Sequence, residues 1–529
     1  MIFNKRNLLC LLVGGFASAS MAQMPLESNA ETALKYAQEV TKADMVKHLS
    51  ILASDEYEGR ETGTEGQRKA AAYLVEQITS FGLEPLPGQT SLEQEIAFTK
   101  ERWTTVASST SAKTFKHLWD FCAFPATNTD WDTSFDEVVF LGYGIQDDAY
   151  NDYAGANVSG KLIMVYDGEP TNAAGVSYIT GTVEPSDWSS DFRKKFKAAK
   201  ANGAAGILII DKDIKNRIST NRNRMLNGRM RIGKGENPGT NYAPNMFISS
   251  TMAQDILGKK GKKVIKARKG IEKSGKPKSV SVKTNISFDF EKETRTLIGS
   301  NVSGMITGSD PVLKEEYVFV TAHYDHLGKR GESIYNGADD NGSGTTTILE
   351  VAESMAKAKR EGNGPKRSVV FIWVSGEEKG LLGSAYYVND PIIPFDQTIV
   401  DINVDMVGRV DKKYTENPNY IYVIGADKLS QDLHDINESV NQGYHNLALD
   451  YTYNDENDPN RYYYRSDHYN FARNNIPVVF FFNGTHDDYH MVTDTVEKIN
   501  FDKMEKIGQH VFYLTWEIAN RAQRPQLNR

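Results

Sequence analysis

The sequence has few cysteines, no excess of basic residues and no long apolar run beyond its amino terminus. Only two of its 529 residues are cysteines. Cys10 lies in an amino-terminal segment that is predicted to be removed, so Cys122 has no partner and an internal disulfide is excluded. The apolar context of Cys122 predicts a buried residue rather than a nucleophile. A net charge of -8 gives no reason to expect nucleic acid as a partner.

The amino terminus has the three parts of a secretory signal peptide. Lys5 and Arg6 form a basic region, and residues 8–17 form a short apolar run. Residues 20–22 (Ser-Met-Ala) form a cleavage site, so the signal peptide is predicted to span residues 1–22 and the mature chain to begin at Gln23. The alternative is an uncleaved anchor, but the run is short for a membrane span. A secreted chain without a disulfide indicates a bacterial envelope, so we expect a secreted or periplasmic protein.

The length and the changing pattern along the chain predict two domains, because 529 residues are too many for one ordinary core. Residues 23–130 and 291–525 are expected to form an α/β domain, and residues 131–290 an inserted β-rich unit with one helix. A basic stretch at 259–283 within the insert predicts a solvated strand-and-loop face. Contact with a phosphate or a membrane is the alternative for this stretch.

From about residue 295 onward, strands alternate with helices. Strands are predicted at 317–322, 368–374, 398–404, 420–424 and 476–482, and helices at 343–359, 381–388, 428–440, 467–474 and 501–520. An earlier helix is predicted at 67–81. The alternation predicts the α/β class, with a mostly parallel mixed sheet sandwiched by helices. Ligands bind beyond the carboxyl ends of strands in such sheets, and most of the candidate site residues follow those ends.

Histidine and carboxylate residues follow the first of these strands. His323 and Asp325 are two residues apart and therefore share one side, where Asp325 can hydrogen-bond the imidazole. Asp339 and Asp340 lie in the glycine-rich segment GADDNGSG, whose backbone can adopt unusual geometry. Either of these two carboxylates could use one oxygen for each of two metals. Taken alone, the same segment would equally suit an acidic surface turn.

Further carboxylates follow the next two strands. The adjacent side chains of Glu377 and Glu378 diverge, so one can bind a metal while the other faces a water. Two buried neighbours of this kind repel each other unless cations neutralise them. Asp405 ends an apolar strand and needs a partner such as a metal, with Asp401 as a weaker rival. The alternative for the glutamates is an exposed loop.

The segment THDDYHMVTDT supplies the last candidates: His486, Asp487, Asp488 and His490. In chain order the motifs therefore provide a histidine, an aspartate, a glutamate, a second aspartate and a second histidine. Five nitrogen and oxygen ligands in this order suit two adjacent divalent metals, with zinc as the natural choice. A two-metal site of this kind predicts hydrolysis.

These motifs resemble those of the co-catalytic zinc exopeptidases, a family that includes secreted bacterial leucyl aminopeptidase, aminopeptidase Y and glutamate carboxypeptidase II. The resemblance is strong over 297–518 and weak over 43–82. It implies the zinc exopeptidase fold and two Zn²⁺ per chain. It also implies five metal ligands, with one ion on His323 and Asp405, the other on Glu378 and His490, and Asp340 between them.

The resemblance implies further roles at the same site. Asp325 would support His323, and Glu377 would act as the general base. Tyr463 could donate to the oxyanion of the reaction, with a packing role as the alternative. Arg465 could contact the substrate or form a salt bridge.

The resemblance extends to one backbone feature and to the insert. It implies a cis peptide bond between Asp340 and Asn341. In the insert, the segments GYGI, VSGKLIMVYDGEP and KAAKANGAAGILII are similar to those of protease-associated domains, which often sit beside the active site of these peptidases.

The function that the resemblance predicts is that of a secreted zinc-dependent aminopeptidase acting on peptides. A carboxypeptidase or dipeptidase of the same family is the first alternative. A non-catalytic receptor-like binding protein on the same scaffold, as in the transferrin receptor, is the second, and the complete ligand set argues against it. That set also argues against a glutaminyl cyclase, which needs one zinc. Side-chain specificity, oligomeric state and natural substrate stay open.

Overall fold

The computed structural model describes residues 24–234 and 238–528, so the predicted signal peptide and its cleavage site lie outside the described residues. The chain divides into two compact units. The first unit combines the residues up to 94 with residues 300–529, and the inserted unit spans residues 95–299. The inserted unit therefore begins before the predicted boundary at 131 and ends after the predicted boundary at 290. Within the described ranges, no helix is both long and apolar enough to cross a membrane.

Strands and helices are numbered in chain order. The strands are β1 (Glu93–Thr110), β2 (Lys113–Phe115), β3 (Phe121–Cys122), β4 (Trp131–Leu141), β5 (Leu162–Tyr166), β6 (Gly206–Asp211), β7 (Arg231–Ile232), β8 (Asn245–Ser249), β9 (Ser279–Ile306), β10 (Tyr317–His323), β11 (Gly328–Arg330), β12 (Ser333–Tyr335), β13 (Ser368–Val374), β14 (Thr398–Val404), β15 (Tyr420–Ile424), β16 (Ala448–Asp450) and β17 (Val478–Phe482). The helices are α1 (Ala30–Ala37), α2 (Lys42–Leu52), α3 (Glu65–Phe81), α4 (Asp187–Ser190), α5 (Arg193–Ala201), α6 (Ile214–Asn227), α7 (Ser250–Leu257), α8 (Gly261–Ser274), α9 (Gly344–Arg360), α10 (Leu382–Asn389), α11 (Gln431–Tyr444), α12 (His468–Ala472) and α13 (Phe501–Asn520).

The first unit is built on a mixed sheet in the order β16-β15-β17-β14-β10-β13-β9. Its centre is parallel, since β10 pairs in parallel with β13 and β14, and β14 pairs in parallel with β17. The antiparallel pairs β15–β17 and β13–β9 flank that centre. The predicted mostly parallel mixed sheet is confirmed. Its parallel strands bring their carboxyl ends to one edge.

Helices cover both faces of this sheet because the side chains of a strand alternate in direction. Val318 and Val320 of β10 belong to a buried cluster that includes residues of α9 and α13. The intervening Phe319 belongs to a second buried cluster, which includes residues of α10 and α12. The continuous apolar strands of the sequence are thus buried on both sides, as parallel strands between helix layers must be.

The inserted unit contains strands in the order β9-β4-β5-β6-β8-β3. The helices α4 to α8 accompany them, so the prediction of a single helix there is wrong. Part of the basic stretch predicted as strand and loop is helix α8, in which Val264, Ala267 and Ile271 are buried. Their spacing of three and four residues is a helical stripe that the high lysine content obscured.

Cys122 ends β3 inside the inserted unit and is fully buried. Burial raises the pKa of its thiol to about 12. A thiol with so high a pKa is not a nucleophile near neutral pH, so the prediction of a buried apolar residue is confirmed.

Candidate metal centre

The parallel strands deliver four candidate side chains to one edge of the sheet. His323 is the last residue of β10, and Asp405 is the first residue after β14. Glu377 and Glu378 follow the end of β13. The turn after β17 brings His490 to the same edge, where its backbone adopts a positive φ of 59°. The strand ends therefore explain why residues distant in sequence converge.

Asp340 lies at the centre of this group. It belongs to the irregular turn Ala338–Ser343 that leads into α9, and the peptide bond between Asp340 and Asn341 is cis, as the resemblance implied. One of its carboxylate oxygens is 3.4 Å from Nε2 of His323. The other is 3.0 Å from Nε2 of His490. The carboxylate thus faces two different imidazoles.

The remaining ligand atoms form two groups around Asp340. In the first group, Nε2 of His323 is 3.4 Å from Oδ1 of Asp405 and 4.0 Å from Oε2 of Glu377. In the second, Nε2 of His490 is 3.4 Å from Oε1 of Glu378. We call these residues, together with His326, the His–carboxylate cluster.

His326 is the member of this cluster that the sequence reasoning missed. Its Nδ1 is 2.9 Å from Oε1 of Glu378 and 3.8 Å from Oδ2 of Asp340. The side chain is fully buried, and neither ring nitrogen has a hydrogen-bond partner among the described residues. The signal was present in the sequence, since His326 follows His323 and Asp325 in the segment HYDH.

The donor set fits divalent metals. Ligands of tetrahedral zinc, at about 2.0 Å from the ion, lie roughly 3.3 Å from one another, close to the distances between the atoms of each group. In the described part of the chain, no lysine or arginine forms an ion pair with Asp340, Glu378 or Asp405. Several buried carboxylates without a lysine or arginine partner are stabilised by bound cations. The geometry and the charge therefore both fit a pair of cations.

The structure also separates the paired candidates that the sequence left open. Asp339 turns away from the cluster, and its carboxylate accepts from the Gly408 amide at 2.7 Å and lies 3.2 Å from Nε2 of His486. Asp401 is buried inside the sheet and accepts from Oγ1 of Thr321 at 2.7 Å. Neither aspartate faces His323 or His490. Of each pair, therefore, only Asp340 and Asp405 belong to the His–carboxylate cluster.

The two acidic residues before His490 have other partners. Asp487 is exposed and pairs with Lys412 at 2.7 Å. Asp488 pairs with Arg409 at 2.8 Å and with Lys498 at 2.6 Å. These ion pairs hold the loop that carries His490.

Asp325 contacts His323 through a different atom from the one expected. Nδ1 of His323 is 3.1 Å from the backbone oxygen of Asp325, whereas the carboxylate oxygen is 3.9 Å away. That carboxylate accepts from Oγ1 of Thr62 at 2.7 Å and from the amide of Glu377 at 3.1 Å. Asp325 therefore orients the imidazole by its carbonyl and the Glu377 loop by its carboxylate.

The two neighbouring glutamates differ in their proton affinity. Burial, together with the charge of Glu378, raises the pKa of Glu377 well above its usual value, against the opposing effect of His323. Burial and the charge of Asp340 also act to raise the pKa of Glu378, but the neighbouring imidazoles of His326 and His490 outweigh them and lower that pKa to about 2. Glu378 is therefore suited to bind a metal as an ionised carboxylate, whereas Glu377 is suited to hold a proton.

A cavity opens onto the cluster. Besides cluster residues, it is lined by Met406, Tyr462, Arg465, Phe480, Phe482, Thr485 and Tyr489. Nη2 of Arg465 is 3.3 Å from the Tyr489 hydroxyl, and the Tyr489 ring stacks on His490 with 3.9 Å between centroids. Most of its non-cluster lining is aromatic or apolar.

Tyr463 lies elsewhere. It does not line this cavity. Its ring packs against His468, with 5.5 Å between centroids, and Nζ of Lys428 is 5.1 Å from its centroid. The position of Tyr463 therefore does not support its suggested role as an oxyanion donor. Its neighbour Tyr462 reaches the cavity, as does Tyr489.

Comparisons with known proteins agree with this geometry. Residues 301–515 match Peptidase family M28. The chain is 27% identical over 220 residues to aminopeptidase YwaD of Bacillus subtilis, covering 40% of this chain and 43% of that protein. It is 30% identical over 227 residues to leucine aminopeptidase 1 of Sclerotinia sclerotiorum, covering 40% and 55%. The matches thus span about half the length of these relatives.

A solved structure extends the similarity to almost the whole chain. An aminopeptidase from Aneurinibacillus sp. strain AM-1 has a TM-score of 0.52 with 17% identity, covering 94% of this chain and 100% of that one. This likeness shows a shared fold. The resemblance to co-catalytic zinc exopeptidases is confirmed, since residues 301–515, which match Peptidase family M28, contain the whole His–carboxylate cluster.

Proposed function

We propose that the chain is a zinc-dependent aminopeptidase that removes amino-terminal residues from peptides. The observation that carries this proposal is the position of Asp340, whose carboxylate oxygens lie 3.4 Å and 3.0 Å from nitrogens of different histidines, His323 and His490. A carboxylate shared in this way suits two neighbouring cations. The names of the relatives YwaD and leucine aminopeptidase 1 support the reaction type.

The proposed ligands divide between two zinc ions. His323 and Asp405 would hold one ion, Glu378 and His490 the other, and Asp340 both. Zinc bound there would supply Lewis acidity toward the scissile carbonyl and would lower the pKa of a nearby water. His326 is a further nitrogen donor on the Glu378 side, 2.9 Å from that carboxylate.

Glu377 is the proposed general base. Its amide donates to Asp325 at 3.1 Å, which holds its loop beside His323. The carboxylate accepts a proton from the attacking water and passes it to the leaving amine. Because burial raises the pKa of Glu377, the carboxylate is suited to hold that proton between the two steps.

The cavity supports a free amino terminus as the group that is recognised. Glu377 lines it and is not a proposed zinc ligand, so its carboxylate can face an ammonium group. Phe480, Phe482 and other apolar side chains line the same space and suit an apolar first residue.

A donor to the oxyanion is available at the cavity wall. The Tyr489 hydroxyl, beside Arg465, takes the place that the sequence suggested for Tyr463. A hydroxyl aimed at the developing charge would stabilise the tetrahedral state.

One observation favours a second candidate function. Arg465 lines the cavity and could anchor a free carboxylate, which is what a carboxypeptidase or dipeptidase needs. The names of the relatives YwaD and leucine aminopeptidase 1 argue for the aminopeptidase.

A panel of substrates with and without chelator tests the proposal. We expect chelator-sensitive release from aminoacyl anilides, fastest for leucine and phenylalanine, and none from peptides with a blocked amino terminus. Release from the carboxyl end of blocked peptides would select the alternative. Activity that survives complete metal removal would contradict both.

We further propose that the protein is exported and that its inserted unit is a protease-associated domain. The basic and apolar segments at residues 5–17 support export. Mass spectrometry of the protein from the envelope or the medium should show a chain that begins at Gln23. A chain that retains residues 1–22 would contradict cleavage.

A further inference from the structure

A second group of metal-ligand side chains lies between α2 and α9. His48 comes from α2, and Glu350 and Glu353 come from successive turns of α9. One potential ligand atom from each lies within 4.8 Å of the others. We call these three residues the α2–α9 cluster. Glu350 is six residues beyond Gly344, about 9 Å along the helix axis, so this cluster is separate from the candidate metal centre.

The histidine of this cluster is held like a metal ligand. Nδ1 of His48 is 2.6 Å from the Tyr73 hydroxyl, and Nε2 is 3.5 Å from Oε1 of Glu350. A ligating imidazole usually has its second nitrogen fixed by a hydrogen bond, as Tyr73 does here. His48 is 1% exposed, so water does not compete for Nε2.

The carboxylate of Glu350 is buried and has almost no hydrogen-bond partners in the part of the chain that the structure describes. It is 1% exposed, and its Oε1 has no hydrogen-bond partner among the described residues although it faces Nε2 of His48. Its other oxygen receives only a 3.5 Å contact from the Thr41 amide. A buried carboxylate so weakly satisfied requires a cation or a proton.

The charges around the cluster are mostly negative. Burial, together with the charges of Asp44 and Glu353, raises the pKa of Glu350 to about 8, against the opposing effect of Lys47. Burial and Asp44 likewise raise the pKa of Glu353. Asp44 lies one turn before His48 on α2 and adds a negative charge on the same side.

We propose that His48, Glu350 and Glu353 bind a third divalent cation that joins α2 to α9. One imidazole with carboxylates favours zinc or manganese over calcium or magnesium. The site is structural in kind, because it ties together two helices that pack on the same face of the sheet. It does not depend on the proposed peptidase reaction.

Metal content measured on the full chain tests this site. The chain is stripped with chelator, incubated with Zn²⁺, passed over a desalting column and analysed by mass spectrometry. His48→Gln and Glu353→Gln should each bind one zinc fewer per chain than the unchanged protein. His510→Gln, a buried histidine that contacts Asn437 at 2.9 Å, is the matched control and should bind the same number.

The same measurement in an Asp340→Ala background separates this proposal from the proposed function. There, His48→Gln should remove a zinc that Asp340→Ala leaves in place, and zinc should raise the melting temperature only when His48 is present. Equal zinc content with and without His48, in both backgrounds, would overturn the proposal and would mean that a protonated Glu350 bonds His48 directly. Glu353 is half-buried, so its variant tests the site if His48→Gln fails to fold.

Discussion

Glu377 and Glu378 are neighbours in sequence with opposite environments. The carboxylate of Glu378 contacts His326 and His490, whereas that of Glu377 lies near His323 at 4.0 Å. Glu377→Gln should keep two zinc ions but lower kcat by about 10²–10⁴-fold, as the loss of a general base does. Glu378→Gln is the paired control and should lose metal. Activity of Glu377→Gln within tenfold of the unchanged enzyme would exclude the role.

Asp340 is the residue on which the proposed pair of metals depends. Asp340→Ala removes both oxygens that face His323 and His490, so we expect loss of the cluster's zinc as well as of activity. Elemental analysis checks this prediction, with Asp339→Ala as the neighbouring control that leaves the His–carboxylate cluster intact. Two zinc ions retained at the cluster would refute the bridge.

Replacing His326 is expected to affect only one side of the proposed metal site. Because Nδ1 of His326 lies 2.9 Å from Glu378, removing the imidazole should weaken zinc binding on the Glu378 side by about 10–100-fold, the usual effect of losing such a partner. Competition with a fluorescent zinc chelator measures the affinity of His326→Ala. An unchanged affinity would mean that His326 only fills space beside Glu378.

At the scale of elements, Arg60 ties the segment before α3 to the turn that carries Asp340. Its fully buried guanidinium donates to the carbonyls of Leu52, Tyr324, Asn336 and Gly337 at 2.7–2.9 Å. Arg60→Ala would strand those acceptors and should lower the free energy of unfolding by about 3 kcal/mol. Calorimetry measures the change. Arg68→Ala, an exposed control, should have little effect, and equal melting temperatures of the two variants would contradict this account.

Within the sheet, Asp401 links β14 to β10 through Thr321 at 2.7 Å. Burial raises its pKa to about 8, from roughly 3.9 in the unfolded chain. Between these values the folded chain binds more protons, so stability falls as pH rises from about 4 to about 8. Asp401→Asn should lessen this fall, which denaturant titrations at pH 6 and pH 8.5 would measure. If the free energy of unfolding changes equally in both proteins between pH 6 and pH 8.5, Asp401 is already ionised at pH 6.

At the scale of the whole molecule, each unit has its own hydrophobic core. The buried clusters around Phe140 and Phe247 contain only residues of the inserted unit. Domains with separate cores can fold alone, so a fragment of residues 95–299 should unfold cooperatively in a calorimeter. A fragment that shows no thermal transition and the circular dichroism of a random coil would show that its fold depends on the first unit.

The fold of the first unit was largely predictable, and the insert was less so. The bounds predicted for β13, β14 and β15 agree with the structure, because buried parallel strands are continuous apolar runs with clear ends. Helix α8 was missed, because lysines dominate its composition and only every third or fourth residue is apolar. The start of the insert was also misplaced, because buried and exposed residues do not alternate strictly along the long strand β1.

By itself, the sequence determined the candidate ligand types and their order, because a metal selects its donors by chemistry. It also determined the layered α/β arrangement, since the apolar pattern sets which residues must be buried. Only the tertiary structure separated Asp339 from Asp340, placed Tyr489 rather than Tyr463 at the cavity wall, and brought His326 and the α2–α9 cluster to light. Those choices depend on side-chain direction at turns and between helices, where two neighbouring residues face different surroundings.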